Sequence, residues 1–254
     1  MSKHRIAVVI PARWASTRFP GKPLHQLAGK PLVQHVWERA SRAKGIDTVI
    51  VATDDMRIAE CAFDFGAEVA LTSPKCVSGT DRCAEVAKRL ESIETVINVQ
   101  GDEPFIDPKL ISQLGRDLAK HPEADMITAA TPFQPGDDPE AMDVVKVVLN
   151  RASEALYFSR SLIPRVRDGS PFPHLRHLGI YGYRTSFLLQ FVRWKPGTLE
   201  LAESLEQLRA LENGAKIRVV LTDHRSIGVD TPEDARKAEA LLRPTKQTSR
   251  KRQA

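Results

Sequence analysis

The stretch PARWASTRFPGKP, residues 11–23, carries Arg13, Arg18 and Lys22 and no acid. Between these cations lie the small residues Ala15, Ser16 and Gly21, which let backbone N–H groups approach a ligand. Such a loop is either a solvated basic turn or a clamp for a strongly anionic group such as a polyphosphate. The spacing is neither G-x-G-x-x-G nor G-x-x-x-x-G-K-[ST], which disfavours a dinucleotide fold and a P-loop ATPase.

Two acidic motifs complete the chemistry. In NVQGDEP (98–104), Asp102 closes an apolar run beside a glycine with no lysine near it in sequence, a setting that suits a hard cation such as Mg²⁺. Glu103 is expected to face the opposite side, as neighbours do in extended backbone. In GVDTPED (228–234), Asp230 is a second candidate ligand, but DTPED is also a good helix start, with Thr231 capping and Pro232 in the first turn. On the residues alone both readings stand. SGTDR (78–82) is a helix start whose free N–H groups either read a carbonyl or phosphate or belong to a plain N-cap at Ser78. His174 and His177 in HLRH lack a third His or Cys nearby, which favours a pocket wall or packing over zinc. Cys61, Cys76 and Cys83 are odd in number and form no C-x-x-C pair, so reduced structural thiols are expected.

The elements that would position these residues alternate. Strand-like runs at 6–10, 48–54, 68–73, 94–102 and 124–130 are almost continuously apolar, as when both faces of a sheet are covered. Helical patterns lie between them, including 31–45 with Pro31 in its first turn and 55–66 ending at Gly66. This predicts an α/β fold with a mostly parallel, doubly wound sheet, whose ligands bind at the carboxyl ends of the strands and hence at the basic loop. After residue 140 the pattern loosens. Runs at 144–150, 179–184 and 216–222 read as strands of a smaller, partly antiparallel extension. The stretch 200–214 reads as one helix with Leu201, Leu205 and Leu208 on its apolar face. One domain over 1–242, with residues from about 140 to 220 as an inserted subregion, is the expected organisation.

Charge and length exclude several classes. The chain has 254 residues and a net charge of +5, but five of its 37 Lys and Arg fall in the acid-free segment 243–254, and the rest balances 32 Asp and Glu. That segment is expected to be a disordered basic tail. A neutral body argues against charge-driven nucleic-acid binding. The five-residue apolar start is too short for a signal peptide, and no run approaches a membrane span.

Taken together, IPARWASTRFPGKPL, SGTDR, NVQGDEP, ALYFSRSLIP, RHLGIYGY, LEQLRALENG and GVDTPED, in this order over about residues 4–242, closely resemble the 3-deoxy-manno-octulosonate (Kdo) cytidylyltransferases, or CMP-Kdo synthetases. GKPL and QGDEP recur among sugar-nucleotide transferases; YFSR with RHLGIYGY and LEQLR is far more specific. The resemblance implies a Rossmann-like nucleotidyltransferase fold, a cytoplasmic homodimer, Mg²⁺, and transfer of CMP from CTP to Kdo for lipopolysaccharide synthesis. It assigns Arg13, Ser16, Arg18 and Lys22 to the CTP phosphates, with Arg13 and Lys22 also stabilising transition-state charge. Ser78, Gly79 and Arg82 go to the nucleotide, and Asp102 and Asp230 to the metal. Gln100, Arg160, His177, Tyr181, Glu206 and Gln207 go to the sugar acid. Trp14 stands where these enzymes commonly carry Tyr, and the loop PRVRDGSPFPHLRH is short compared with many relatives. The 8-amino analogue of Kdo, another sugar acid such as sialic acid, and a sugar phosphate remain alternative substrates. A non-catalytic nucleotide-binding protein is the rival from another class.

Overall fold

Ile6, Val8 and Ile10 of the first strand, β1 (Ile6–Pro11), pack into one buried cluster, and Ala7 and Val9 pack into another on the opposite side. A strand with no solvated face must lie inside a sheet covered twice. The computed structural model describes residues 4–15, 19–225 and 227–242. After β1 come a 3-10 turn at Lys22–Leu24, the short strands β2 (Gln26–Leu27) and β3 (Lys30–Pro31), α1 (Leu32–Ala40), β4 (Thr48–Thr53), α2 (Met56–Asp64) and β5 (Glu68–Leu71). The middle of the chain holds α3 (Gly79–Ala87), β6 (Thr95–Asn98), α4 (Pro108–Lys120) and β7 (Met126–Pro132). The remainder holds β8 (Lys146–Leu149), β9 (Ala155–Ser159), β10 (Leu175–Arg184), α5 (Thr185–Phe191), α6 (Thr198–Glu203), α7 (Glu206–Glu212), β11 (Ile217–Leu221) and α8 (Pro232–Leu242).

The main sheet has nine strands in the order β11-β7-β10-β6-β1-β4-β5, with β8 and β9 attached beside β10. β1 runs parallel to β4 and β6, β4 to β5, and β7 to β11. β10 is inserted antiparallel between β6 and β7. Apolar residues of α1, α2 and α4 cover one face of the sheet, and those of α3, α5 and α7 cover the other. A third cluster joins Leu27, Leu32, Val229, Ala235 and Ala238, so α8 is seated on the β2–β3 hairpin. The carboxyl ends of β1 and β6 thus open on the same side as the segment that precedes α8.

Three local readings change. The stretch 200–214 is two helices, because Ser204 adopts a left-handed conformation with φ of 52°. Arg160 accounts for the break: its Nε donates to the Glu203 carbonyl at 2.7 Å, the acceptor that a continuous helix would give to Gln207. Leu205 and Leu208 are buried as expected, but Leu201 is 69% exposed and is not part of an apolar stripe. β6 ends at Asn98, and the residues after it turn, with Glu103 N–H donating to the Gln100 carbonyl at 3.3 Å. Finally, β10 starts at Leu175, four residues earlier than the apolar pattern suggests, and β9 adds a strand the pattern does not mark.

Candidate active site

Pro11, the last residue of β1, is the hub of the site. A Cβ on Gly101 would lie 2.8 Å from the Pro11 carbonyl oxygen, and one on Gly79 would lie 3.1 Å from the Pro11 ring. The missing side chain at Gly101 lets the turn after β6 close on the end of β1, and Gly79 sets the start of α3 closely against the Pro11 ring. The Val229 N–H donates to the Asp102 carbonyl at 2.8 Å, and Val229 is fully buried under α8, so Asp230 is delivered next to Asp102. Gly21, with φ of +70° and at a position where a Cβ would lie 2.9 Å from the Trp14 ring, turns the basic loop back so that Lys22 points the same way. The Trp14 ring is in turn covered by the Arg57 guanidinium, 3.3 Å from its centroid.

The result is a cleft of about 420 Å³ whose lining includes Arg13, Lys22, Ser78, Gly79, Arg82, Gln100, Asp102 and Asp230. Four segments contribute these eight residues, namely the basic loop after β1, the start of α3, the turn after β6 and the segment before α8, and each residue is a candidate from the sequence. Lys22 Nζ sits between the two acids, 2.6 Å from Asp102 Oδ2 and 3.1 Å from Asp230 Oδ1. Two carboxylates that already converge on one cation, with oxygen donors only, could hold a hard divalent ion. Among the described residues no group of three or more His, Cys, Asp or Glu is placed to bind metal, so other ligands would come from substrate and water. Thr231, not Asp230, caps α8. Its Oγ1 accepts from Asp234 N–H at 3.2 Å, and Asp234 Oδ2 accepts from Thr231 N–H at 3.0 Å. The helix-start reading is right for Thr231 and leaves the Asp230 side chain to the cleft.

On the far wall, Ser78 is both N-cap and cleft residue: its Oγ accepts from Asp81 N–H at 3.1 Å while Gly79 lines the opening. Arg82 is 3% exposed and pairs with Asp54 at 3.2 Å and with the Thr72 hydroxyl, forming a fixed cationic floor. Glu103 does not line the cleft. Cys76 does, but its thiol is pushed up to about 11 by burial and by the Glu85 carboxylate it donates to, so it is no nucleophile at neutral pH. Ser16 and Arg18 lie outside the described residues, as does the segment expected to be a disordered tail.

His177, Tyr181, Glu206 and Gln207 form a second, adjoining group. Tyr181 pairs with Asn98 across β10 and β6, and the Gln100 amide donates to Asn98 Oδ1 at 3.2 Å, which links the network to the cleft. The Tyr181 hydroxyl donates to Gln207 Oε1 at 3.1 Å, leaving the Gln207 Nε2 group buried without a partner. The His177 ring lies 5.5 Å from that of Tyr181. A register shift between Leu178 and Tyr181 is filled by Thr128, whose hydroxyl lies 2.8 Å from the Ile180 carbonyl and 2.9 Å from His177 Nε2. A hydroxyl has one proton, and it goes to the carbonyl. His177 Nε2 therefore carries the donated hydrogen and Nδ1 is the acceptor. Thr128 and Asn98 are missed by sequence reasoning; pairing register is the only signal that finds them. Arg160 does not reach the cleft lining. Its guanidinium donates to carbonyls of Glu203, Ser204 and Met142. His174 is apart from His177, edge-to-face with Phe172.

Burial pushes His177 down from 6.5 to about 3, so it is neutral in the folded chain. An unfolded chain takes up this proton first, so the stability it contributes is present above pH 6.5 and is lost as the pH falls from there toward 3. The slope for one proton is about 1.4 kcal/mol per pH unit. Urea unfolding of the wild type and of His177→Asn across that range should show the steeper loss in the wild type. Parallel curves would mean that His177 is solvated.

Comparison with known proteins fits this geometry. Residues 7–217 match the family model described as cytidylyltransferase. A 3-deoxy-manno-octulosonate cytidylyltransferase from Anaeromyxobacter sp. (strain Fw109-5) is 52% identical over 240 residues, 94% of this chain and 97% of that protein. The chain belongs to the 3-deoxy-manno-octulosonate cytidylyltransferase family. A mitochondrial member from Arabidopsis thaliana is 45% identical, with 95% of this chain and 84% of that protein covered. The structure of CMP:2-keto-3-deoxy-manno-octonic acid synthetase complexed with CTP superposes with a TM-score of 0.90 at 40% identity, covering 94% of this chain and 98% of that one. The fold is thus the Rossmann-like one of nucleotidyltransferases, and the chain is a cytidylyltransferase.

Proposed function

We propose that this family member transfers CMP from CTP to the anomeric 2-hydroxyl of Kdo, with release of pyrophosphate and a proton. The observation that carries the reading is the convergence of Asp102, Asp230 and Lys22 at the mouth of a cleft whose opposite wall is a helix N-terminus. A protein that only bound phosphate would have little use for two carboxylates there, and this disfavours the non-catalytic alternative.

The residues act as follows. Lys22 neutralises the triphosphate, together with Arg13 at the exposed lip. Gly79 and the α3 N-terminus face the nucleotide, where the free N–H groups complement its partial charges. Asp102 and Asp230 would hold Mg²⁺, which would supply Lewis acidity toward the sugar hydroxyl and the α-phosphate. Gln100 and, behind it, Tyr181, His177 and Gln207 orient the sugar acid: the unpartnered Gln207 amide donates and His177 Nδ1 accepts. Arg160 acts on this side indirectly, by fixing the start of α7. CTP, a cytosolic nucleotide, supports a cytoplasmic place for the reaction. Among the described residues no helix is long and apolar enough to cross a membrane. Exposed Leu199 and Leu201 on α6 and Leu156 on the edge strand β9 support the homodimer.

A polar pocket discriminates strongly against a ligand that lacks a partner hydroxyl. Gln207→Ala should therefore raise the KM for Kdo about tenfold or more and that for CTP little; Arg13→Ala should do the reverse. Measuring both substrates in both variants checks this, and an unchanged Kdo dependence in Gln207→Ala would place the pocket elsewhere. Pyrophosphate release with CTP and either Kdo, its 8-amino analogue or N-acetylneuraminate tests the acceptor. The reading expects Kdo to give the highest kcat/KM; a higher value for another acceptor would replace it.

A further inference from the structure

The Glu206 carboxylate is held mostly from outside its own helix. Thr80, 3% exposed in the first turn of α3, donates its hydroxyl to Oε2 at 2.6 Å. Ser78 Oγ lies 3.1 Å from Oε1, and Arg209 Nη2, on α7, donates to that oxygen at 3.2 Å. Ser78 and the adjoining Gly79 line the nucleotide side of the cleft, while Gln207, next to Glu206, carries the unpartnered amide of the other network. The two half-sites therefore meet at one carboxylate.

The start of α7 depends on this contact. The helix is only seven residues long, follows a left-handed Ser204, and its N-cap Leu205 offers no side-chain cap. Its first residue is Glu206, so whatever holds Glu206 sets where the next side chain points. Thr80 makes the shorter of the two contacts from α3, and its hydroxyl faces the interior, away from the cleft lining.

We propose that Thr80 is a positioning residue: acting through Glu206, it fixes the first turn of α7 against the nucleotide turn Ser78–Gly79 and so aims Gln207 at the sugar acid. This assigns Glu206 a bridging role between the two substrates rather than that of a sugar ligand alone, and it rests on the reading of Gln207 as a sugar-acid contact. A misplacement of about 1 Å in a positioned group costs up to about a hundredfold in rate.

The test compares Thr80→Val and Thr80→Ser in the full chain. In Thr80→Val the KM for Kdo should rise about tenfold or more, and calorimetric binding of CTP alone should stay within about twofold. Thr80→Ser, which keeps the hydroxyl, should restore the wild-type KM. The pH profile of kcat/KM for Kdo is the second readout. Facing Glu206 are Ser78, Thr80, Asp81 and Cys83 from α3, Tyr181 and Tyr183 from β10, and Arg209 from its own helix; Glu200 of α6 shares that arginine. Burial holds the Glu206 carboxyl above its ordinary value, and the Thr80 hydrogen bond opposes that rise. Without the hydroxyl the acid limb should move to higher pH in Thr80→Val and stay in place in Thr80→Ser. Should Thr80→Val not fold, the wild type still decides. Its KM for Kdo should climb as falling pH protonates Glu206. An unchanged Kdo KM in folded Thr80→Val, equal losses for both substrates, equal damage in Thr80→Ser, or a flat wild-type profile would each overturn the proposal. A wild type that turns over CTP without any dependence on Kdo would remove the functional reading, and this inference with it.

Discussion

Asp102→Asn and Asp230→Asn should each lower turnover by at least about a hundredfold. Each substitution keeps the shape of the side chain and removes one of two charges that converge on a single cation position, 2.6 and 3.1 Å from Lys22 Nζ. The loss corresponds to about 2.7 kcal/mol of transition-state stabilisation. Asp102 is the less exposed of the two, at 29% against 48% for Asp230, so solvent screens it less and its loss should be the larger. The double variant should cost little more than Asp102→Asn alone, because both acids act through one unit. CTP affinity should survive in part, since Arg13, Lys22 and the α3 N-terminus remain. Steady-state kinetics of the three variants check this; near-normal turnover in Asp230→Asn would leave that residue only its place beside the α8 cap.

The second large effect is expected at Lys22, and it has two opposite signs. Its ammonium lies between the two acids, so it competes with any divalent ion for that position. Lys22→Met should therefore bind Mn²⁺ in the absence of nucleotide more tightly than the wild type does, read by calorimetry or by the spin-resonance signal of the free ion. With CTP and Kdo present the same variant should turn over about a hundredfold or more slowly, because the charge that would balance the triphosphate in the transition state is gone. Unchanged Mn²⁺ affinity would mean that the ammonium does not stand between the carboxylates in solution. Tighter Mn²⁺ with normal turnover would remove Lys22 from the transition state.

The cleft was more legible in the sequence than the wall behind it, for a physical reason. Arg13, Lys22, Ser78, Asp102 and Asp230 sit directly after strands or at helix starts, where residue type and position along the chain already imply exposure at one edge of the sheet. The β1, β4 and β6 runs are apolar on both faces, and that alone dictates a doubly covered parallel sheet. By contrast, β10 is antiparallel and paired with a register shift between Leu178 and Tyr181. Its partners follow from topology rather than from any local pattern, so Thr128 and Asn98 carry no signal of their own. The helix break at Ser204 is the same kind of case: 200–214 has good helical composition, and the residue that interrupts it, Arg160, lies 44 positions away. Arg160 itself shows how a motif can place a residue near a site without aiming it there.

The central claim is that this chain joins CMP to Kdo at the cleft between Lys22, Asp102 and Ser78. Phosphorus NMR of CTP and Mg²⁺ with the protein, before and after addition of Kdo, tests it most directly. CTP should be stable until Kdo is added, and a phosphodiester resonance should then grow in step with pyrophosphate. Conversion of CTP that is indifferent to Kdo, or CTP left intact after Kdo is added, would contradict it.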